Sequence, residues 1–247
     1  MGQPKVGQSI VFVHGAFCGG WAFDAFKEPF AKAGYDVHTP SLPGHDRGAD
    51  LEHLATLGVR EYAEALVRFI HTFEAPPVLV GHSLGGLVCQ MAAGRTAVAA
   101  LVLLCPSAPW GVMPTTMEEH GANFGLTMLG DYWRRPIPPD YRIARQSTLD
   151  RLERELARRI FARFVPESGR AVMETVQWWL DPSMASAAPS YKTSAPILAI
   201  AGGADRVNPA STIRRIVNRY PKQQADYREF PDMSHWPMAE PESSAVQ

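Results

Sequence analysis

Short apolar runs without polar alternation recur along this chain, separated by stretches of helical period, and this alternation limits its fold more than any other feature. "SIVFVHG" (9–15), "PPVLVG" (76–81), "AALVLLC" (99–105) and "APILAIAGG" (195–203) each read as a strand buried on both faces, as in a parallel sheet. "YDVHTP" (35–40) and "ADYREF" (225–230) are weaker strands. Between them, residues 59–73 place Val59, Tyr62, Ala63, Leu66, Ile70 and Phe73 on one helical face, and residues 21–33, 84–93 and 209–219 fit further helices. The order predicts an α/β fold: a mostly parallel sheet of about six strands, flanked by helices. The 247 residues suffice for one large domain or a domain with one sizeable insertion.

The alternation breaks between about 107 and 190. "SAPWGVMP" and the Pro-rich "RRPIPPD" lead into an amphipathic segment carrying Leu149, Leu152, Leu156, Ile160 and Phe164, then a second helix candidate through "GRAVMETVQWWLD". With no strand signal there, residues 107–190 are expected to form a helical insertion, and residues 1–106 and 191–247 the core. The cluster Arg151, Arg154, Arg158, Arg159 and Arg163, interleaved with Asp150, Glu153 and Glu155, reads as a solvated helix face laced with ion pairs.

Gly81-His82-Ser83-Leu84-Gly85 follows a buried strand and opens a helix pattern. Gly-x-Ser-x-Gly in that setting holds its serine in a strained turn, with the hydroxyl exposed above the strand ends. Glycines two residues before and after let the neighbouring strand and helix approach closely. The helix N-terminus adds positive potential beneath the serine. Such a hydroxyl becomes a nucleophile once a histidine takes its proton and a buried carboxylate orients that histidine.

With this elbow, "VFVHGAFCGGW" (11–21), "GGADRVNP" (202–209) and "FPDMSHWP" (230–237), the chain resembles the α/β-hydrolase superfamily over residues 9–240, and within it serine esterases distantly similar to the plant methylesterase and hydroxynitrile lyase group. The resemblance implies Ser83 as nucleophile, Asp205 as acid and His235 as base, in the family's chain order. It also implies an oxyanion hole from the backbone N–H groups of Leu84 and Ala16, with Phe17 as the less favoured donor, and it makes the insertion a cap. The family's usual leading strands are short or absent here.

Other residues fit these roles less well. His14 begins the oxyanion loop and is expected to pack or hydrogen-bond beneath it, and His82 faces away from the serine. Asp232 reads as a turn residue and Asp181 as the end of a cap helix. Ser107, at the other strand end that supplies the acid in some members, carries no carboxylate. His38, His45, His53, His71 and His120 lie in unmatched segments and read as surface or core polar residues.

Ser83 excludes the aspartate-elbow route of dehalogenases and epoxide hydrolases. Gly15 and Trp236 stand where hydroxynitrile lyases characteristically carry threonine and lysine. Carboxylester hydrolysis through an acyl-enzyme is the favoured reading. Cofactor-free haloperoxidase and carbon–carbon bond hydrolase chemistry remain open, as does a non-catalytic small-molecule binder. Cap aromatics and methionines, with no convincing basic pair, point to a neutral hydrophobic ester. Phe17, Trp110, Trp179 and Trp236 are pocket candidates, whereas Trp21 reads as loop packing.

No ligand cluster suggests a metal and no dinucleotide loop remains unexplained, so no cofactor is expected. A net charge of -1 argues against nucleic acid as partner, and no run is long enough to predict an integral membrane segment. Cys18, Cys89 and Cys105 are odd in number and irregularly spaced, reading as buried thiols. "MGQPKVGQS" lacks a secretory core, so a cytoplasmic protein is expected. The chain stops at "EPESSAVQ", where a last helix is expected to form.

Overall fold

The computed structural model describes residues 7–241 and 243–247, so the expectation about "MGQPKVGQS" rests mostly on residues outside the described ones. The strands of the main sheet are β1 (Ser9–Val13), β2 (Asp36–His38), β3 (Val78–His82), β4 (Ala100–Leu104), β7 (Ile197–Gly202) and β8 (Ala225–Phe230), with β5 (Pro136–Ile137) and β6 (Glu167–Ser168) forming a separate pair. The helices are α1 (Asp24–Lys32), α2 (Leu51–Thr56), α3 (Val59–Ile70), α4 (Leu84–Ala93), α5 (Met117–Thr127), α6 (Tyr141–Gln146), α7 (Arg154–Phe161), α8 (Gly169–Val176), α9 (Ala210–Val217) and α10 (Ser243–Val246).

The six strands run parallel in the order β2-β1-β3-β4-β7-β8, the α/β-hydrolase arrangement. Their unalternated apolar runs have a simple cause. Along β1, Val11 and Val13 join one core layer while Ile10 and Phe12 join the other, so every position meets protein. β7 divides likewise, Ile197, Ala199 and Ala201 on one side and Ile200 on the other. The core helix α4 is buried at all ten positions. The chain leaves β1 for the β2 edge and returns to β3, so strand order reverses between β1 and β3. Ligands in open α/β sheets bind outside the strand ends at such a reversal.

Between β4 and β7 the chain is mostly helical, with one departure from expectation. β5 and β6 pair antiparallel, Pro136 opposite Ser168 and Ile137 opposite Glu167. A two-strand ribbon has free edges, where proline's missing N–H is tolerated. The arginine cluster is solvated, but among the described residues its only ion pair reaches outward: Arg163 bonds Asp24 of α1 at 2.9 Å and lies 4.4 Å over the Trp21 ring. Asp150 instead accepts from the Ser234 hydroxyl at 2.6 Å. No described helix is long and apolar enough to cross a membrane.

Candidate active site

Ser83 sits between β3 and α4 with φ 52 and ψ -121, a backbone conformation that residues with side chains rarely adopt. Its own backbone groups hold it there: its N–H donates to the Leu104 carbonyl, and its carbonyl accepts from Gly86 and Ser107. The flanking glycines are required by space. A Cβ on Gly85 would lie 2.2 Å from the Val13 carbonyl oxygen, and one on Gly81 2.5 Å from that of Gly85.

Two distant turns meet this elbow. His235 Nε2 lies 2.9 Å from Ser83 Oγ, and His235 Nδ1 lies 2.8 Å from Asp205 Oδ2. The other Asp205 oxygen accepts the backbone N–H groups of Val207 and Asn208, so the carboxylate faces only donors. A carboxylate accepts only, which places the imidazole proton on Nδ1 and leaves Nε2 free to take the serine proton. The three side chains are buried, Ser83 being 7% exposed.

The His235 turn is fixed on several sides. Glu240 accepts the N–H groups of Ser234 and Trp236, bracketing His235, at 2.6 and 2.8 Å. His82 Nε2–H donates to the His235 carbonyl at 2.7 Å, and the two rings pack at a tilt with centroids 4.9 Å apart. Cys105, at the end of β4, contacts the Ser234 carbonyl through its sulfur. Burial, then the Asp205 charge, pushes its thiol pKa well up, so it stays protonated. Cys105, Asp205 and His235 gather close enough to suggest a cation site, but Nδ1 and both carboxylate oxygens are already in the bonds just described.

Ala16 N–H, in the loop after β1, and Leu84 N–H, at the start of α4, have no acceptor among the described residues. Phe17, at φ 63, is different, because its N–H donates to Glu167. His14 accepts the Leu42 N–H at Nε2 and donates from Nδ1 to the Gly15 carbonyl, which fixes a neutral tautomer. Burial, helped by neighbouring His45, lowers its pKa to about 3.

The pocket candidates scatter. Phe17 is half-buried in the loop, and Trp110 packs on Trp178 with ring centroids 5.0 Å apart. Trp179 is 46% exposed, whereas Trp236 is 2% exposed and packs against Trp21, Phe164 and His82. Between β4 and β7, Met117, Phe124 and Met128 are exposed, and Tyr132 is buried with its hydroxyl on Gln177. Asp232 is exposed, and Asp181 caps the turn after Leu180 through the N–H groups of Ser183 and Ala185.

Sequence reasoning passed over a buried cluster beside the oxyanion loop. Glu167 is fully buried, with Oε2 facing His45 Nε2 at 2.9 Å and Phe17 N at 3.2 Å. Its Oε1 accepts from Tyr62 OH and Ser168 N, each at 2.8 Å. His45 Nδ1 faces the Pro43 carbonyl at 3.0 Å, so both ring nitrogens point at acceptors and the ring is an imidazolium. Burial alone would raise the Glu167 pKa and lower that of His45. Their mutual attraction and hydrogen bonds outweigh it, leaving Glu167 below and His45 above the ordinary value.

The buried neutral histidines make a prediction about acid stability. The His82 pKa also lies well below 6.5, from burial and then the neighbouring His235 ring. An unfolded chain binds protons at His14 and His82 below about pH 6.5 and the folded chain does not, so stability falls with pH there. The expected slope is about 1.4 kcal/mol per pH unit for each histidine once pH is well below 6.5. Urea unfolding from pH 7.5 to 5.0 should show this limb, shallower in His14→Gln; an unchanged slope in that variant would remove His14 from the account.

An all-parallel sheet with a strained serine at a helix entrance beside its order reversal is the fold of α/β hydrolases. The chain belongs to the Alpha/beta hydrolase family, which it matches over residues 10–245. It is 32% identical over 165 residues to a pyrethroid hydrolase of Sphingobium wenxiniae, covering 65% of this chain and 56% of that protein. A second curated relative, from Mycoplasma genitalium, is matched over 36% of its length. Among solved structures, an Arabidopsis methylesterase superposes with a TM-score of 0.72 at 16% identity, covering 96% of this chain and 95% of that one. An extracellular α/β-hydrolase from a Paenibacillus species gives 0.73 at 17% identity, covering 97% and 96%.

Proposed function

We propose that the protein is a serine carboxylesterase acting on small to medium, neutral, hydrophobic esters through an acyl-enzyme. The observation that carries this reading is the hydrogen-bonded chain from Asp205 through His235 to the hydroxyl of Ser83, at a turn beside two unengaged backbone N–H groups. Ser83 Oγ attacks the ester carbonyl as His235 Nε2 takes its proton. Ala16 and Leu84 N–H groups stabilise the oxyanion. His235 returns the proton to the departing alcohol, and water, activated by the same histidine, releases the acid. Residues 107–190 act as the cap that shapes the pocket. One relative, 32% identical over 165 residues, is named a pyrethroid hydrolase, which supports hydrolysis of an apolar substrate.

The test is a panel of p-nitrophenyl esters of increasing acyl length, with intact mass measured after brief exposure to an organophosphonate ester. Turnover that a chelator leaves unchanged, and one phosphonyl adduct mapping to Ser83, are expected. Unlabelled protein with no turnover across the panel would sink the reading and favour a binding protein.

A further inference from the structure

We propose that Glu167, held by the His45 imidazolium, is the positioning residue of the oxyanion hole, setting the direction of the Ala16 N–H from within the insertion; this rests on the esterase reading above. An oxyanion hole works only when its donors already point to where charge will develop. Here one donor belongs to a loop with an unfavourable backbone, since Phe17 sits at φ 63 with a full side chain. Something outside the loop has to hold it.

The contacts that do so come from residues 165–167. The Phe17 carbonyl accepts from Val165 N at 2.9 Å, and the Phe17 N–H donates to Glu167 Oε2 at 3.2 Å. Gripping both polar groups of Phe17 fixes the peptide that follows Ala16. It also removes Phe17 N–H from competition, leaving Ala16 as the donor of this loop. On the loop's other side His14 grips Leu42 N, and its ring packs at a tilt against His45 with centroids 5.1 Å apart.

The carboxylate is itself immobilised. All its contacts are donors: His45 and Phe17 on Oε2, Tyr62 and Ser168 on Oε1. A fully buried acid with no exposed edge and a buried cationic partner is an expensive arrangement for mere packing, since an apolar residue of similar size costs no desolvation. What an apolar residue lacks is an acceptor for a backbone N–H of the catalytic loop.

The separation of Tyr62 from Phe17 on different carboxylate oxygens supplies the control. Glu167→Gln keeps size and one acceptor oxygen, but presents an N–H₂ to one pair of donors and removes the charge partner of His45. Tyr62→Phe removes a buried hydrogen bond from the same carboxylate while sparing the Phe17 side. The readouts are kcat and KM for p-nitrophenyl butyrate, the inhibition constant of an aryl trifluoromethyl ketone, whose adduct on serine carries an oxyanion, and the melting temperature.

The expected result is a kcat lower by about 10- to 100-fold in Glu167→Gln, with KM within about twofold, below the 10²–10³ cost of deleting a donor outright. Ketone affinity should fall by the same factor, because a transition-state mimic follows the transition state. Tyr62→Phe should lower the melting temperature yet cost kcat and ketone affinity clearly less than Glu167→Gln does. His45→Gln, which keeps a donor toward Glu167 without charge, should shift kcat and ketone affinity in the direction of Glu167→Gln, and it decides the matter if that variant does not fold. Unchanged kcat and ketone affinity in Glu167→Gln or, failing that, in His45→Gln, or equal losses across all three variants that follow melting temperature, would overturn the proposal. A wild-type protein that neither hydrolyses the ester nor binds the ketone would instead overturn the esterase reading.

Discussion

Replacing Ser83 by alanine is expected to lower ester hydrolysis by about 10⁵- to 10⁶-fold while leaving the fold intact. Alanine keeps the Cβ that already fits the elbow, and the backbone bonds to Leu104, Gly86 and Ser107 do not involve the hydroxyl. Only the hydrogen bond to His235 Nε2 is lost. The measurement is turnover of the purified variant beside its melting temperature and its labelling by phosphonate. More than a few per cent of wild-type turnover in a folded, unlabelled variant would remove Ser83 as nucleophile.

Asp205→Asn is expected to cost about 10⁴-fold in kcat with little change in KM. The asparagine oxygen can keep the N–H groups of Val207 and Asn208, so the turn persists. Its N–H₂ then faces His235 Nδ1, which has to become an acceptor, and the imidazole proton moves to Nε2. A proton there points at Ser83 and abolishes the base. Asp232→Asn, on an exposed turn, should retain near wild-type kcat; the reverse ranking of the two variants would reassign the acid.

Much of the fold could be read from local patterns because burial on two faces leaves a mark on consecutive residues. β1, β3, β4 and β7 lie inside the sheet and read plainly. β8 is an edge strand, and its residues from Ala225 to Phe230 alternate between partly buried and exposed along the front half, which weakened the signal. β5 was illegible because Pro136 stands in it. The elbow was legible because it requires glycines at fixed offsets from its serine, whereas the turns at Asp205 and His235 were legible only through their resemblance to the family's motifs. The Glu167 cluster was not. His45 and Tyr62 meet it from 122 and 105 residues away. Nothing in "VPESGR" distinguishes a buried glutamate from a solvated one, and glutamate is almost never fully buried unless paired. Glu240 escaped notice similarly, although its spacing of four and six residues from Trp236 and Ser234 was a usable local cue.

Val165 and Glu167 lie between β4 and β7, yet their bonds end on the loop after β1. Were this intervening segment only a roof, a relative's could be transplanted whole, and pocket shape would change without harm to turnover. Here a graft without a carboxylate at the position of Glu167 would leave the Phe17 N–H without its acceptor and His45 buried without its charge partner, at a cost of several kcal/mol unless the histidine were replaced as well. Recombination between members therefore has to carry residues 165–168 with the recipient's framework and take its crossover points outside them. Among the described residues, no such contact constrains Met117, Phe124 and Met128, which face outward.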